Sequence, residues 1–284
     1  WAGRPRGGVG AGGLGRGSRG AFNLWHVDGG GHWYGPIPAC QLALFESNGS
    51  SKRAHALAVK PEADASRPNS GEPLAAWGWY PASTPERSTG TYAARYPLSW
   101  TRYEGVFEAE VECEAFSPIL PGDYQRASYP VAVFRWTFCN PTNQPLDLSL
   151  LLTWRNTVGW FFNTDPSAEV HFRDDGSPEH NYAPAIGHGE GQRNRWLDQE
   201  GMRGIVLEGQ RSEPIGEGQG QWCLAVPDTL DGVEVLRCSR WDPTGDGQEL
   251  WQPFAAEGRI PNSNNDRASR AGEHASAAIA LTFT

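Results

Sequence analysis

The sequence has little of what membrane, nucleic-acid-binding and disulfide-stabilised proteins need. No run approaches the roughly 18 consecutive apolar residues of a membrane span, so no span is expected. The formal net charge of −9 argues against nucleic acid as a partner, because such binding draws on clustered Lys and Arg. The five cysteines are odd in number and form no CxxC pair. They favour reduced thiols and a cytoplasmic location over a disulfide scaffold.

The sequence also lacks the short motifs of several enzyme classes. It contains no GxSxG, no phosphate-loop lysine motif and no cysteine–histidine context for a nucleophile. His171, His180 and His188 are nine and eight residues apart, whereas zinc sites usually use closer pairs of ligands. We therefore expect no metal site and no cofactor in this chain.

What the sequence has instead is glycine, concentrated at its start. Glycine and arginine make up more than half of the stretch from Gly3 to Phe22, and GxGxxG occurs there more than once. A dinucleotide site needs a strand before that motif and a helix after it, and the flanking residues favour neither. We predict that residues 1–35 form a glycine-rich segment that packs closely on the domain or its partner. Arg16 and Arg19 in this segment are available for carboxylates.

The stretch FEAEVECEAF alternates apolar residues with four glutamates between Phe107 and Phe116, which predicts a half-buried strand. Alternate glutamates on one strand face lie roughly 6–7 Å apart. Carboxylate pairs at such separations can hydrolyse glycosides. A solvated polar face explains the row more simply, and we favour that interpretation.

Short apolar runs separated by glycine and proline continue along the chain, with almost no helical periodicity. The runs YPVAVFRWTFCNP and PLDLSLLLTWRN predict two strands, and Asn140, Pro141 and Asn143 between them indicate a hairpin. This pattern predicts an all-β fold, a two-sheet antiparallel β-sandwich over residues 36–284, with a long loop at about 156–196. Further strands are predicted at residues 39–45, 55–59, 92–96, 100–103, 202–208, 222–226, 233–241 and 276–284.

Several stretches resemble the N-terminal domain of glycoside hydrolase family 116, the family of bile-acid β-glucosidase, also called non-lysosomal glucosylceramidase. GGVGAGGLGRGSRGAFNLW is similar to the opening motif of that family, and YPLSWTRYEG is similar to a second motif. The most specific match is EAFSPILPGDYQRASYPVAVFRWTFCNPTNQPLDLSLLLTWRN, and GDGQELWQPFAAEGRI matches a later segment. The matches follow the order of the family across nearly the whole chain.

The resemblance implies a β-sandwich that packs against a C-terminal (α/α) six-hairpin barrel of the same polypeptide. That barrel holds the glutamate nucleophile and the aspartate acid/base of a retaining β-glucosidase, so no catalytic residue is expected in this chain and its β-glucoside substrate is bound through the barrel. The strand-like end AAIALTFT agrees with a polypeptide that continues. We expect Arg16, Arg19, Trp25 and His26 to brace the barrel or to line the rim of its cleft.

Two other interpretations remain at this point. The chain contains thirteen tryptophans, and Trp25, Trp33, Trp77 and Trp79 are candidate stacking platforms of a free-standing carbohydrate-binding sandwich. Alternatively, the chain is an enzyme complete in itself that uses its own Glu or Asp residues. Activity of the chain alone would support only the latter.

Overall fold

The computed structural model describes residues 3–27, 33–61, 74–160, 171–172, 174–176, 178–179, 189–210 and 219–283. The fold is all-β, as predicted, and its sheets are mainly antiparallel and stack as a β-sandwich. The glycine-rich opening segment forms a four-stranded sheet in the order β1-β2-β3-β4. Its strands are β1 (Gly3–Arg6), β2 (Gly13–Gly17), β3 (Phe22–His26) and β4 (Trp33–Tyr34).

Two larger sheets form the body of the domain. A six-stranded sheet has the order β18-β19-β12-β5-β6-β7, and a four-stranded sheet has the order β11-β10-β9-β8. The six strands are β5 (Gln41–Ser47), β6 (Lys52–Val59), β7 (Trp79–Tyr80), β12 (Asp147–Arg155), β18 (Val233–Trp241) and β19 (Ser276–Phe283). The four are β8 (Gly90–Arg95), β9 (Leu98–Tyr103), β10 (Glu110–Phe116) and β11 (Val133–Cys139).

The remaining elements are short or flank the main sheets. A three-stranded sheet packs on the main core, and a two-stranded ribbon and two helices complete the described fold. The strands are β13 (His171–Phe172), β14 (Pro178–Glu179), β15 (Arg193–Gln199), β16 (Met202–Glu208) and β17 (Gln221–Pro227), and the helices are α1 (Tyr124–Ala127) and α2 (Gln248–Glu257).

The central strands of the six-stranded sheet are buried on both faces. Leu42 and Leu44 of β5 lie in the main core with residues of the other sheets, whereas Ala43 and Phe45 face a second apolar cluster. The main core also contains Phe22 and Trp25, so the opening segment packs into the same core as the sandwich. The division of the chain at residue 35 stays a prediction.

The predicted hairpin between β11 and β12 is wrong. Strand β11 pairs with β10, whereas β12 pairs with β5 and β19 in the other sheet. Asn140 does form a turn, because its Oδ1 accepts from the amide of Thr142 at 2.9 Å. Strand β12 is buried on both faces along most of its length, and such a strand fits best in the middle of a large sheet. The connection therefore crosses from one sheet to the other.

Helix α2 is an element that periodicity did not predict. It covers the outer face of the six-stranded sheet with Leu250, Trp251 and Phe254, and Pro253 interrupts its pattern. Gly258 ends the helix with φ +68°, and a Cβ there would lie 2.5 Å from the Phe45 ring. A glycine is required at this position because of both its backbone and its neighbours.

Much of the loop predicted at about 156–196 lies outside the described residues, including His180 and His188. Its last four positions, 193–196, belong to β15 instead. Inside the predicted loop, β13 and β14 pair His171 with Glu179 by their backbones. Its earliest positions, 156–160, follow directly from β12 and lie in the buried part of the domain.

Candidate functional site: the opening sheet, the aromatic rim and a neighbouring cavity

Arg16 lies inside the domain and connects three sheets. Its guanidinium donates to the Leu57 carbonyl at 2.8 Å and to the Tyr103 hydroxyl at 2.6 Å, and the residue is only 7% exposed. The Tyr103 hydroxyl also donates to the Leu57 carbonyl. Burial raises the pKa of Tyr103, so this hydroxyl stays protonated at neutral pH. These bonds hold β2, β6 and β9 together.

The other three predicted rim residues lie in different surroundings. Arg19 is exposed in the turn after β2, where its carbonyl accepts from the amide of Val59. Trp25 is fully buried and donates from its indole nitrogen to Gly35 at 3.0 Å. His26 is half-buried at the end of β3. The interface role of these residues stays a prediction, but for Arg16 and Trp25 a direct contact with a second domain would require the present packing to open.

Two of the four proposed sugar-stacking tryptophans are not surface platforms. Trp25 and Trp77 are buried, and Trp33 and Trp79 are half-buried. Trp77 stacks on Trp251 with 4.8 Å between ring centroids, within the cluster beneath α2. Trp25 and Trp77 are therefore excluded as stacking platforms, and for Trp33 and Trp79 the carbohydrate-binding interpretation stays a prediction.

The glutamate row is a solvated face, as favoured above. Val111 and Cys113 point into the core, while the glutamates between them face outward. Glu112 forms an ion pair with Arg102 at 3.1 Å, and Glu114 accepts from the indole of Trp100 and pairs with Arg135. These carboxylates bind partners on neighbouring strands of the same sheet, so their role is structural.

Glu46 is a buried carboxylate that the sequence analysis missed. It is 1% exposed, and its oxygens accept from Arg53 at 2.7 Å, from the amide of Glu108 at 2.9 Å and from the amide of Ala109 at 2.8 Å. Because Glu46 lies on β5 and the two amides precede β10, it joins the two large sheets. Leu42, Leu44 and Glu46 are every second residue of β5, so their side chains share one face of the strand. Because the two leucines mark that face as inward, the sequence already indicated a buried charge at Glu46.

Among the described residues, most of the exposed large hydrophobic side chains lie at one end of the sheet β11-β10-β9-β8. Seven large hydrophobic residues are exposed in the described part of the chain, and six of them lie at this end. We call these six residues the aromatic rim: Val9, Tyr96, Leu120, Tyr124, Tyr129 and Val131. Tyr124 is 78% exposed, the most of the seven.

Strand register and hydrogen bonds bring the rim together. Phe116 pairs with Leu98 on one side and with Val133 on the other, so the β8–β9 turn and the β10–β11 connection lie at the same end of the sheet. The opening segment is attached there as well, because the amide of Gly7 donates to Ser117 Oγ and that of Val9 donates to the Ala127 carbonyl, both at 2.8 Å. The rim is thus built from three separate segments of the chain.

A cavity of about 360 Å³ lies beside the rim and is bounded by four segments. It is lined by residues of the opening segment, of the β10–β11 connection, of the turn after β12 and of the start of β17. Trp222 and Thr157 are among them. A second cavity of about 400 Å³ lies beside Arg19 and Tyr80.

The described residues form an all-β sandwich with one exposed apolar end. The sequence model of the N-terminal domain of glycosyl-hydrolase family 116, beta-glucosidase 2, matches residues 3–284. The chain therefore belongs to this family, and the resemblance found in the sequence is confirmed. Among the described residues, no helix has the length and apolarity to cross a membrane.

Proposed function

We propose that this chain is the non-catalytic N-terminal domain of a retaining β-glucosidase and that its aromatic rim docks on the catalytic barrel. The observation that carries the proposal is the concentration of exposed apolar side chains at one end of a sandwich that is otherwise well packed. Contiguous exposed apolar surface marks interaction sites, because leaving it in water costs free energy. Docking there supports the barrel and lets the rim border its cleft.

The family motifs supply further support. Tyr96 belongs to YPLSWTRYEG, whereas Leu120, Tyr124, Tyr129 and Val131 belong to the most specific matching stretch. The core does not need these side chains, since they are exposed in the domain itself. A second domain in the same polypeptide gives them a use, which is why we favour the barrel over an unrelated partner.

We further propose that the barrel performs the chemistry by two-step displacement through a covalent glycosyl-enzyme. Glucosylceramide-like or aryl and alkyl β-glucosides are the proposed substrates, on the basis of family membership. A cytoplasmic location is supported by the five free thiols, two of which, Cys139 and Cys223, are exposed. Such thiols persist best in a reducing compartment.

The first test is hydrolysis of a chromogenic aryl β-glucoside. The purified 284-residue chain is assayed alone and after mixing with the separately expressed downstream region. We expect no turnover by the chain alone and activity on mixing. Turnover by the chain itself would contradict the proposal and would favour the interpretation as a complete enzyme.

A second test addresses the rim directly. The double variant Tyr124→Ser/Tyr129→Ser should leave the unfolding free energy of the isolated chain within about 0.5 kcal/mol, because both side chains are exposed. Its affinity for the downstream region should fall at least about tenfold. The control is Tyr34→Ser, which removes an exposed tyrosine from β4, at the opposite edge of the opening sheet from β1. Equal affinities of the two variants would count against docking through the rim.

A further inference from the structure

The outer face of the sheet β11-β10-β9-β8 continues the apolar surface of the aromatic rim. Strand register aligns Leu98, Phe116 and Val133 in one row across three strands, at the end of the sheet where the rim lies. All three side chains are half-buried, and they belong to neither core cluster. The residues that alternate with them face the interior instead, since Ala115 is buried and Phe134 packs against the main core.

Trp100 extends this apolar surface by one further row. It lies opposite Glu114 on β10 and Ala93 on β8, about 6–7 Å along the strands from the first row. Trp100 is half-buried outside both core clusters, and its indole nitrogen donates to Glu114 Oε1 at 3.1 Å. Ala93 is small and exposed, so β8 places no large side chain beside the indole. We call Leu98, Trp100, Phe116 and Val133 the outer-face patch.

The next row away from the rim is polar and marks the limit of the outer-face patch. There Arg102 pairs with Glu112, and their side chains are 63% and 41% exposed. Thr91 and Thr137 flank the two charges on the outer strands. Hydrated ion pairs of this kind gain little from being covered by another protein surface. The apolar part of the face is therefore the part that adjoins the rim.

The row nearest the rim ends in an arginine that lacks a partner. Arg95 on β8 lies opposite Leu98 and is exposed. In the part of the chain that the structure describes, its guanidinium has neither an ion pair nor a hydrogen bond. Arg135, on the other edge of the same sheet, differs because it pairs with Glu114. Since arginine binds carboxylates through paired hydrogen bonds, Arg95 suits an acidic side chain on a partner.

We propose that the docking surface extends from the aromatic rim over the outer-face patch, and that the downstream catalytic region covers it with an apolar surface that carries a carboxylate opposite Arg95. The inference rests on the proposed function, because continuity with the rim is what identifies the downstream region as the partner. A barrel that met only the rim would leave the patch partly in water, which costs free energy. The barrel therefore lies against the face of this sheet and not only at its end.

The first test measures the affinity of the 284-residue chain for the separately expressed downstream region. Leu98→Thr/Val133→Thr removes apolar surface from the patch, and threonine suits a strand. We expect the affinity to fall at least about tenfold. The matched control is Leu197→Thr/Val233→Thr, which changes a half-buried leucine on β15 and a half-buried valine on β18, both outside the core clusters. The control should keep its affinity, and urea denaturation verifies that both variants fold.

A charge reversal tests the predicted carboxylate. Arg95→Glu should lower the affinity at least about tenfold at low ionic strength, because two negative charges would then face each other. The loss should shrink as salt is added, since salt screens exposed charges. Arg270→Glu makes the same change in net charge at an exposed arginine in the loop before β19, and it should leave the affinity unchanged.

Thiol alkylation locates the covered face without relying on a loss of affinity. The two exposed native thiols are first removed with Cys139→Ser/Cys223→Ser. In that background Ala93→Cys places a thiol beside Trp100, and Ala225→Cys places one on β17 of another sheet. Both alanines are exposed. The downstream region should slow alkylation at position 93 and leave position 225 reactive.

Three results would overturn the inference: equal affinities of Leu98→Thr/Val133→Thr and its control, full affinity of Arg95→Glu at low salt, or unslowed alkylation at position 93. If Tyr124→Ser/Tyr129→Ser still weakens docking, these results leave the proposed function in place and confine the interface to the rim. A lack of any binding by the unmodified chain would overturn both proposals.

Discussion

Aromatic side chains occur both on the face of the six-stranded sheet beneath α2 and at the aromatic rim. They are buried beneath α2 and exposed at the rim. Under α2, Trp77, Trp241 and Trp251 are each 6% exposed or less, and Trp77 stacks on both of the other rings. At the rim, Tyr124 is 78% and Tyr129 is 53% exposed. Aromatic residues alone therefore do not indicate which part of this chain is core.

The difference follows from what the chain places over each surface. Helix α2 has ten residues and delivers Leu250, Trp251 and Phe254 to the sheet, which closes that face from within the domain. The rim connection contains only the four-residue helix α1, whose one buried residue is Ala127. The domain thus completes one apolar surface by itself and leaves the other open, as expected for a surface that meets a second domain.

The largest loss of stability is expected from a substitution on the sheet face that α2 covers. Trp251→Ala should lower the unfolding free energy of the isolated chain by about 3–5 kcal/mol, because it removes a buried ring that contacts Trp77 and Phe254. Urea denaturation measures the change. A loss no larger than that of Tyr124→Ser would mean that α2 does not seal this face, and the comparison would fail.

A smaller effect is expected at the junction of the two large sheets, where Glu46 holds the rim-bearing sheet to the helix-covered one. Every neighbour of this carboxylate is a donor, so Glu46→Gln would place an amide NH₂ against another donor. We expect a loss of about 2 kcal/mol in unfolding free energy. The control is Glu112→Gln, which should cost about 0.5 kcal/mol or less because its pair with Arg102 is solvent-exposed.

Equal losses in these two variants would show that the carboxylate at the junction is no more important than one on the solvated face. Urea denaturation of both variants under the same conditions gives the comparison. A rim docking assay on Glu46→Gln adds a further result, since a loosened junction should weaken docking without any change in the rim side chains.

Alternation of side chains predicted the strands well, and pairing was where sequence reasoning failed. The runs at Met202–Glu208 and Val233–Trp241 are strands with the predicted bounds, because each is flanked by turn residues. The false hairpin at Asn140 arose because a local turn signal does not say whether the next strand pairs or crosses to another sheet. That choice depends on burial of β12 by residues more than a hundred positions away.

The candidate site was predictable only in part, for a related reason. The sequence indicated that Arg16 and Arg19 were both available for carboxylates, yet Arg16 is buried in β2 and Arg19 is exposed in the turn that follows. The cavity depends on four segments that are distant in sequence, so no local pattern reveals it. Family motifs did cover rim residues, since Tyr96 lies in YPLSWTRYEG and Tyr124 and Tyr129 lie in the longest matching stretch.

The smallest effect concerns the pH dependence of stability and involves His55, which lies at the junction between the two large sheets. Burial lowers the pKa of His55, whose ring contacts Tyr80 and Phe107 edge-on and whose Nδ1 lies 3.2 Å from the Trp79 carbonyl. As the pH falls below about 6.5, the unfolded chain takes up the proton first. The contribution of neutral His55 is therefore complete above that pH and declines as the pH falls toward its folded pKa.

We expect His55→Phe to flatten the pH dependence of the thermal midpoint between about pH 7 and pH 5. Phenylalanine keeps the ring contacts and cannot be protonated. Some dependence should remain, because burial also lowers the pKa of His274. Thermal scans of both proteins across this range give the two slopes. A variant that loses stability on acidification as steeply as the unmodified chain would show that this junction does not sense pH and that the acid sensitivity arises elsewhere in the sandwich.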